Sequence, residues 1–247
     1  MYERDGRAGV ISTKKVTVTG PGTKSGPGAG SGGATQARDA EASRGRILDA
    51  ATREFASHGF GGARVDRIAA AASANKRMLY YYFGNKDALF RAVLEAAYAR
   101  IRAAERSLSL LDVPPAEGIR RLVEFTWSYY LGQPEFLALL NSENLYRAEH
   151  LKNSRDIRSM NSPVIETLGV VLARGVAEGR FRGGVDPLQL YISIAALSYF
   201  FLSNSHTLSA VFGRDLFAPA ERAARLQHMI EVVLGYLAPS APPLASA

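Results

Sequence analysis

The side chains with the most capacity for chemistry stand together in SANKRMLYYYFGNKDALF, residues 73–90. Lys76, Arg77 and Lys86 supply cationic donors, Asn75 an amide, and Met78 with Tyr80, Tyr81, Tyr82 and Phe83 a broad apolar and aromatic surface. This is binding chemistry: Lys or Arg can bond guanine O6 and N7, and hydroxyls and cations can bond phosphate oxygens. An overpacked core fits the same aromatic run. What separates the two is which rings face inward.

Composition narrows the partners. A chain of 247 residues can bury a proper core, and its formal net charge of +7 favours an acidic partner, with nucleic acid ahead of an anionic membrane. Cysteine is absent, which removes disulfides, thiolate metal sites and a cysteine nucleophile. His58, His150, His206 and His228 lack the spacing of a metal site, and no Ser-x-x-Lys or Gly-x-Ser-x-Gly set occurs. No cofactor, metal or enzymatic activity is therefore expected. The start MYERDGRAGVISTKK carries charges where a signal peptide needs an apolar run, and Leu188 to Leu202 is broken by Gln189, Ser193 and Ser198. Neither is a secretion signal or a membrane span of about 20 residues. A cytoplasmic protein with no membrane partner is expected.

The elements that must position these residues read as helices, and the fold class expected is all-α. Residues 1–40, rich in Gly and Ser, have no apolar periodicity and are expected to be a disordered arm. Its glycines do not form a phosphate loop, since no strand precedes them and no Lys-Ser or Lys-Thr ends them. A first helix is expected over about 40–58, ending at Gly59, and a second over about 64–71 with Val65, Ile68, Ala69 and Ala72 on one stripe. Asn75 caps a third through Phe83. Asn85 caps a fourth that turns Leu89, Val93, Ala97, Ile101 and Leu108 inward and ends near Leu110. Five more follow over about 115–131, 135–151, 154–178, 187–207 and 219–237, with Pro at starts and Gly at ends. About nine helices, no sheet and a disordered tail after Pro239 result.

The second and third helices, joined by a short turn, make a helix-turn-helix candidate with Ala69 against Leu79 and Lys76, Arg77 and Met78 on the leading turn. A plain helical hairpin with a solvated basic edge has the same spacing.

Residues 46–90 go further: they resemble the DNA-binding domain of the TetR family of transcriptional regulators. The resemblance rests on Ile47, Ala50, Ala51, Phe55, Gly59, Phe60, Val65, Ile68, Ala69, Leu79, Tyr80, Tyr81, Phe83, Lys86 and Leu89. It implies a DNA-binding domain over 41–90, with Lys76 and Arg77 reading bases and Tyr81, Tyr82 and Lys86 on phosphates. Leu79, Phe83 and the ring of Tyr80 are expected in the core. The chain departs from the family pattern at Ser73 in place of the turn Gly, Asn75 in place of a Ser or Thr cap, and Arg77 and Met78 at the reading tip. Ala63 stands where a capping Thr is usual, with Arg64 beside it able to reach a phosphate.

The resemblance also implies that residues 91–238 form a helical domain that dimerises and encloses an effector. Homodimerisation is expected through the helices at about 187–207 and 219–237. Trp127, Tyr130, Phe136, Asn141, Asn144, Tyr146 and His150 are candidate walls for an unknown small-molecule effector. The function expected is a ligand-responsive repressor that binds a near-palindromic operator as a dimer. An architectural protein using the same motif without reading sequence, and a small-molecule enzyme, are the alternatives.

Overall fold

Proline at N1 removes an amide that would have no partner, and an Asx or Ser side chain at the N-cap satisfies one of the rest. Those two devices set most of the helix boundaries in the computed structural model, which describes residues 31–152 and 154–239. Asn75, Asn85, Ser154 and Asp186 accept from the backbone N–H of Met78, Ala88, Ile157 and Leu188, and Pro115, Pro134, Pro187 and Pro219 each open a helix. The elements are α1 (Ser31–Gly62), α2 (Val65–Ala71), α3 (Lys76–Phe83), α4 (Lys86–Arg106), α5 (Pro115–Gly132), α6 (Pro134–Leu145), α7 (Arg155–Ala177), α8 (Pro187–Phe212) and α9 (Pro219–Leu237). Among the described residues there are nine helices and no strand. None of them is long and apolar enough to cross a membrane.

The chain divides into a unit of Met1–Asp39, of which residues 31–39 are described and helical, and a unit of Ala40–Ala247. The rest of the expected arm, 1–30, and the tail after Pro239 lie outside the described residues. The second unit has two apolar cores. One gathers Ile47, Phe55, Ile68, Leu79 and Phe83 around α4 and continues along it through Val93, Ala97 and Ile101 to Tyr130, Phe136 and Leu139. The other joins α5, α7, α8 and α9 through Ile119, Leu122, Leu168, Ile194, Met229 and Val233. Helix α4 therefore runs out of the head built from residues 47–83 and packs mainly against α7, with less contact to α5.

Several boundaries differ from expectation. Helix α1 begins at Ser31 rather than near 40, and Gly59 breaks it with φ 63 and ψ 174. Only glycine enters that backbone region cheaply, so the break falls where the sequence places it. Helix α4 stops at Arg106, so Leu108 lies beyond it and packs on the second core. Helix α6 stops at Leu145 instead of 151 because Arg147 and Ala148 turn to φ 55 and 58. Helix α8 continues to Phe212, where Gly213 supplies the left-handed cap.

Candidate nucleic-acid interface

The turn between α2 and α3 is closed by two backbone bonds, Ser73 N–H to Ala70 and Ala74 N–H to Ala69, at 3.1 and 2.9 Å. Asn75 then starts α3 by accepting from Met78 N–H at 2.8 Å. Leu79 and Phe83, one turn apart, are buried with Ile68 and Ala72, which fixes the roll of α3 and turns its opposite face outward. That outward face carries Lys76, Arg77, Tyr80 and Tyr81, all exposed, Tyr81 at 82%.

Tyr80 corrects the expectation: the residue is 44% exposed rather than buried. The inward position falls to Tyr82, which is half-buried, packs on the first core and meets the edge of Tyr81 at 5.2 Å between centroids. The aromatic run therefore divides with the helical period into Leu79, Tyr82 and Phe83 on the inner face and Tyr80 and Tyr81 on the outer.

Lys76 Nζ lies 2.6 Å from Asp66 Oδ1, and this hydrogen bond and charge raise the lysine's affinity for its proton. Lys86, in the first turn of α4, holds its ammonium 4.8 Å above the Phe60 ring. Arg64 is exposed at the N-cap of α2 and makes no side-chain cap. The cap comes from outside: Glu54 of α1 accepts from Arg64 N–H at 2.9 Å and from Arg67 Nε at 2.7 Å. Burial pushes Glu54 towards its neutral form, but Arg67, the Arg64 amide and His58 outweigh it and hold the carboxyl below its ordinary value. Flanking the head, Arg44 stacks over Phe83 at 5.2 Å and Arg46 donates to Ser43 at 2.9 Å.

The seven effector candidates do not come together. Trp127 is buried in the second core against Phe201, whereas Tyr130 and Phe136 are buried in the first. Asn141 accepts from the Tyr199 hydroxyl, and Asn144 is exposed. Tyr146 and His150 belong instead to the joint between reading head and helical domain. There Phe60 N–H donates to Ser142 Oγ at 2.9 Å, and the Phe60 ring lies 5.1 Å from Tyr146 and 4.5 Å from His150. Buried Glu143 accepts the His150 and Leu151 amides at 2.9 and 3.0 Å and faces His150 Nδ1 at 2.7 Å.

Sequence reading missed Asp66, Glu143 and a buried cluster near the end of α4. In that cluster Arg102 donates to the Tyr191 hydroxyl at 2.5 Å and Tyr191 donates to Glu105 at 3.2 Å. Burial pushes Glu105 up and, with the Glu105 charge, pushes Tyr191 up to about 12. The available signal was register: Glu105 follows Ala97 and Ile101 at intervals of four, on the inward stripe of α4. Among the described residues no group of three or more His, Cys, Asp or Glu could hold a metal ion.

A helix held by Leu79 and Phe83 beneath an exposed tip of cation, amide and tyrosine can enter a major groove, with its first turn leading. Comparison with known proteins agrees. Residues 47–93 match the model of bacterial regulatory proteins of the tetR family, and residues 115–233 match a Tetracyclin repressor-like C-terminal domain. A transcriptional repressor of Pseudomonas putida, NicS, is 38% identical over 199 residues, covering 81% of this chain and 94% of its own. A Streptomyces coelicolor repressor, SCO4008, is 45% identical over 111 residues, covering 44% of this chain and 53% of its own. Among solved structures, the putative regulator SCO4942 of Streptomyces coelicolor shares the fold at TM-score 0.60 with 24% identity, covering 79% of this chain and 98% of that one. The FadR regulator of Bacillus subtilis, solved with stearoyl-CoA, shares it at 0.57 with 15% identity, covering 78% and 98%. The chain belongs to the TetR family of transcriptional regulators. It is a DNA-binding regulator of all-helical fold.

Proposed function

We propose that the protein is an effector-responsive repressor that acts in the cytoplasm as a homodimer on a near-palindromic operator. The observation that carries this reading is the division of α3: Leu79 and Phe83 lock its inner face, and Lys76, Arg77 and Tyr81 stand on the outer one. Lys76 and Arg77 read base edges, with Met78 beside them, half-buried, fitting a thymine methyl. Tyr81, the edge of Tyr82, Arg64 and Lys86 meet the phosphates. Asn75 serves the interface by shaping the first turn of α3.

Dimerisation through α8 and α9 is supported by what those helices leave uncovered. Leu188, Ile192, Phe200, Val232 and Tyr236 are all exposed large apolar residues, and a groove of about 510 Å³ runs between the two helices beside Phe200 and Tyr236. A monomer that left this face in water would carry an aggregation liability. Two copies joined there present two α3 helices to successive major grooves.

Effector response runs along α4, whose first half lies in the core of the reading head and whose last buried residues, Arg102 and Glu105, line a cavity with Met160 and Val164 of α7. An effector that favours one position of that turn shifts the population towards dimers whose two α3 helices no longer match the operator spacing. The test is selection of genomic fragments by the purified full chain, followed by sequencing. One near-palindromic motif retained with salt-sensitive affinity is expected; retention without sequence preference would favour the architectural alternative.

A further inference from the structure

We propose that the cavity where the last turn of α4 meets α7 is the effector site, and that it takes a small organic carboxylate with an apolar body. This deepens the effector-responsive reading above and rests on it.

The cavity is about 310 Å³, at the small end of sites for organic ligands. Arg102 and Glu105 form its floor, Leu110, Met160 and Val164 give it apolar walls, and Arg106 stands exposed at its edge. The loop after α4 forms one side and is held there by Arg174 of α7, which donates to the Leu111 and Val113 carbonyls at 2.7 and 3.1 Å.

The chemistry follows from what the floor leaves unsatisfied. The Arg102 side chain is only 4% exposed. Its Nη2 is taken by the Tyr191 hydroxyl, and its Nη1 is 2.6 Å from Glu105 Oε2 at an angle outside hydrogen-bond geometry. Its Nε–H is buried with no acceptor. A buried guanidinium N–H without a partner is costly, so the site calls for an acceptor. Glu105 Oε1 accepts from Tyr191, and Oε2, which is likewise buried without a hydrogen bond, faces the Nη1 charge at 2.6 Å, so Arg102 Nε–H is the donor left to be answered. A carboxylate that enters beside the Arg106 cation and draws the Arg102 guanidinium towards the cavity answers both by charge-assisted hydrogen bonds, and a body of about one ring or six to eight carbons fits the walls. Because Arg102 and Glu105 belong to α4, a ligand that re-orients their pair acts directly on the helix that carries the reading head.

The test uses the full chain in thermal-shift titrations with benzoate, hexanoate and octanoate, each paired with its neutral amide. At least one carboxylate is expected to stabilise the protein and its amide to do so about tenfold less well by concentration. Arg102→Met alone would leave Glu105 buried without a counter-charge and risk unfolding. The pair is therefore replaced together as Arg102→Met with Glu105→Gln, and Thr167→Phe is made separately to fill the cavity without touching the pair. Loss of the carboxylate shift in both variants supports the site. No shift from any of the three acids, equal shifts from the amides, or shifts that survive in both variants would overturn it. The same wild-type preparation is assayed for retention of genomic DNA: retention with no carboxylate response sinks this inference alone, and carboxylate binding without retention sinks the repressor reading instead.

Discussion

Lys76 Nζ and Asp66 Oδ1 are 2.6 Å apart, so in the DNA-free protein the lysine at the tip of α3 is already held by a carboxylate from the first turn of α2. Both side chains are exposed, and such pairs contribute little to stability. Near a duplex the same carboxylate repels phosphate. Asp66→Ala is expected to leave the melting temperature unchanged within error and to tighten binding to operator and random duplex alike, by about threefold at low salt. Fluorescence anisotropy over a salt series checks it.

Ser73 adopts φ 50 in the turn where the family pattern has glycine. A side chain in that region costs backbone energy that glycine avoids, in partial balance with the greater freedom of an unfolded glycine. Ser73→Gly is expected to raise stability by about 0.5–1 kcal/mol, read as a higher urea midpoint at unchanged slope.

Glu54 caps α2 from a distance, and its carboxyl is held below the 4.5 ordinary for glutamate. A depressed folded-state value means that the stabilisation is present above the unfolded value and is lost as pH falls through the folded one. Glu54→Gln is expected to cost about 1–2 kcal/mol at neutral pH and almost nothing in acid below the folded value. Parallel denaturation curves for the two proteins across that range measure it.

Phe200 and Tyr236 flank the groove between α8 and α9, with Phe200 58% exposed. Phe200→Asp is expected to halve the mass in sedimentation while leaving helical content intact. Operator affinity then falls by about 100-fold, because the two heads no longer share one effective concentration.

Much of this was legible in the chain because the signals were local. Asn75, Asn85, Pro115, Pro134, Pro187 and Pro219 mark helix starts by their own chemistry, and all six stand where the structure starts a helix. The end of α6 carried no such mark: Arg147 and Ala148 turn to positive φ in a sequence free of Gly and Pro, held by the buried Glu143 that draws His150 and Leu151 back. Tyr80 and Tyr82 were exchanged because a run of aromatic residues gives no apolar period, and the roll of α3 is set by Leu79 and Phe83 against Ile68 and Ala72. The effector candidates failed to converge for a related reason. Trp127, Tyr130 and Phe136 are aromatic because two cores need filling, and aromatic composition alone does not separate wall from core. Arg102 and Glu105, three residues apart, look in sequence like a solvated helical pair, and only the register of Ala97 and Ile101 betrays their burial.

That Lys76 and Arg77 choose the sequence while Lys86 serves the backbone is tested by the ratio of operator to random-duplex affinity, measured for Lys76→Ala with Arg77→Ala and, separately, for Lys86→Ala. The double variant is expected to lower that ratio by about tenfold or more, with most of its loss on the operator. Lys86→Ala is expected to weaken both duplexes alike, to leave the ratio unchanged and to reduce the salt slope by about one. An unchanged ratio in the double variant, or an equal fall in both proteins, would mean that sequence choice does not lie with Lys76 and Arg77.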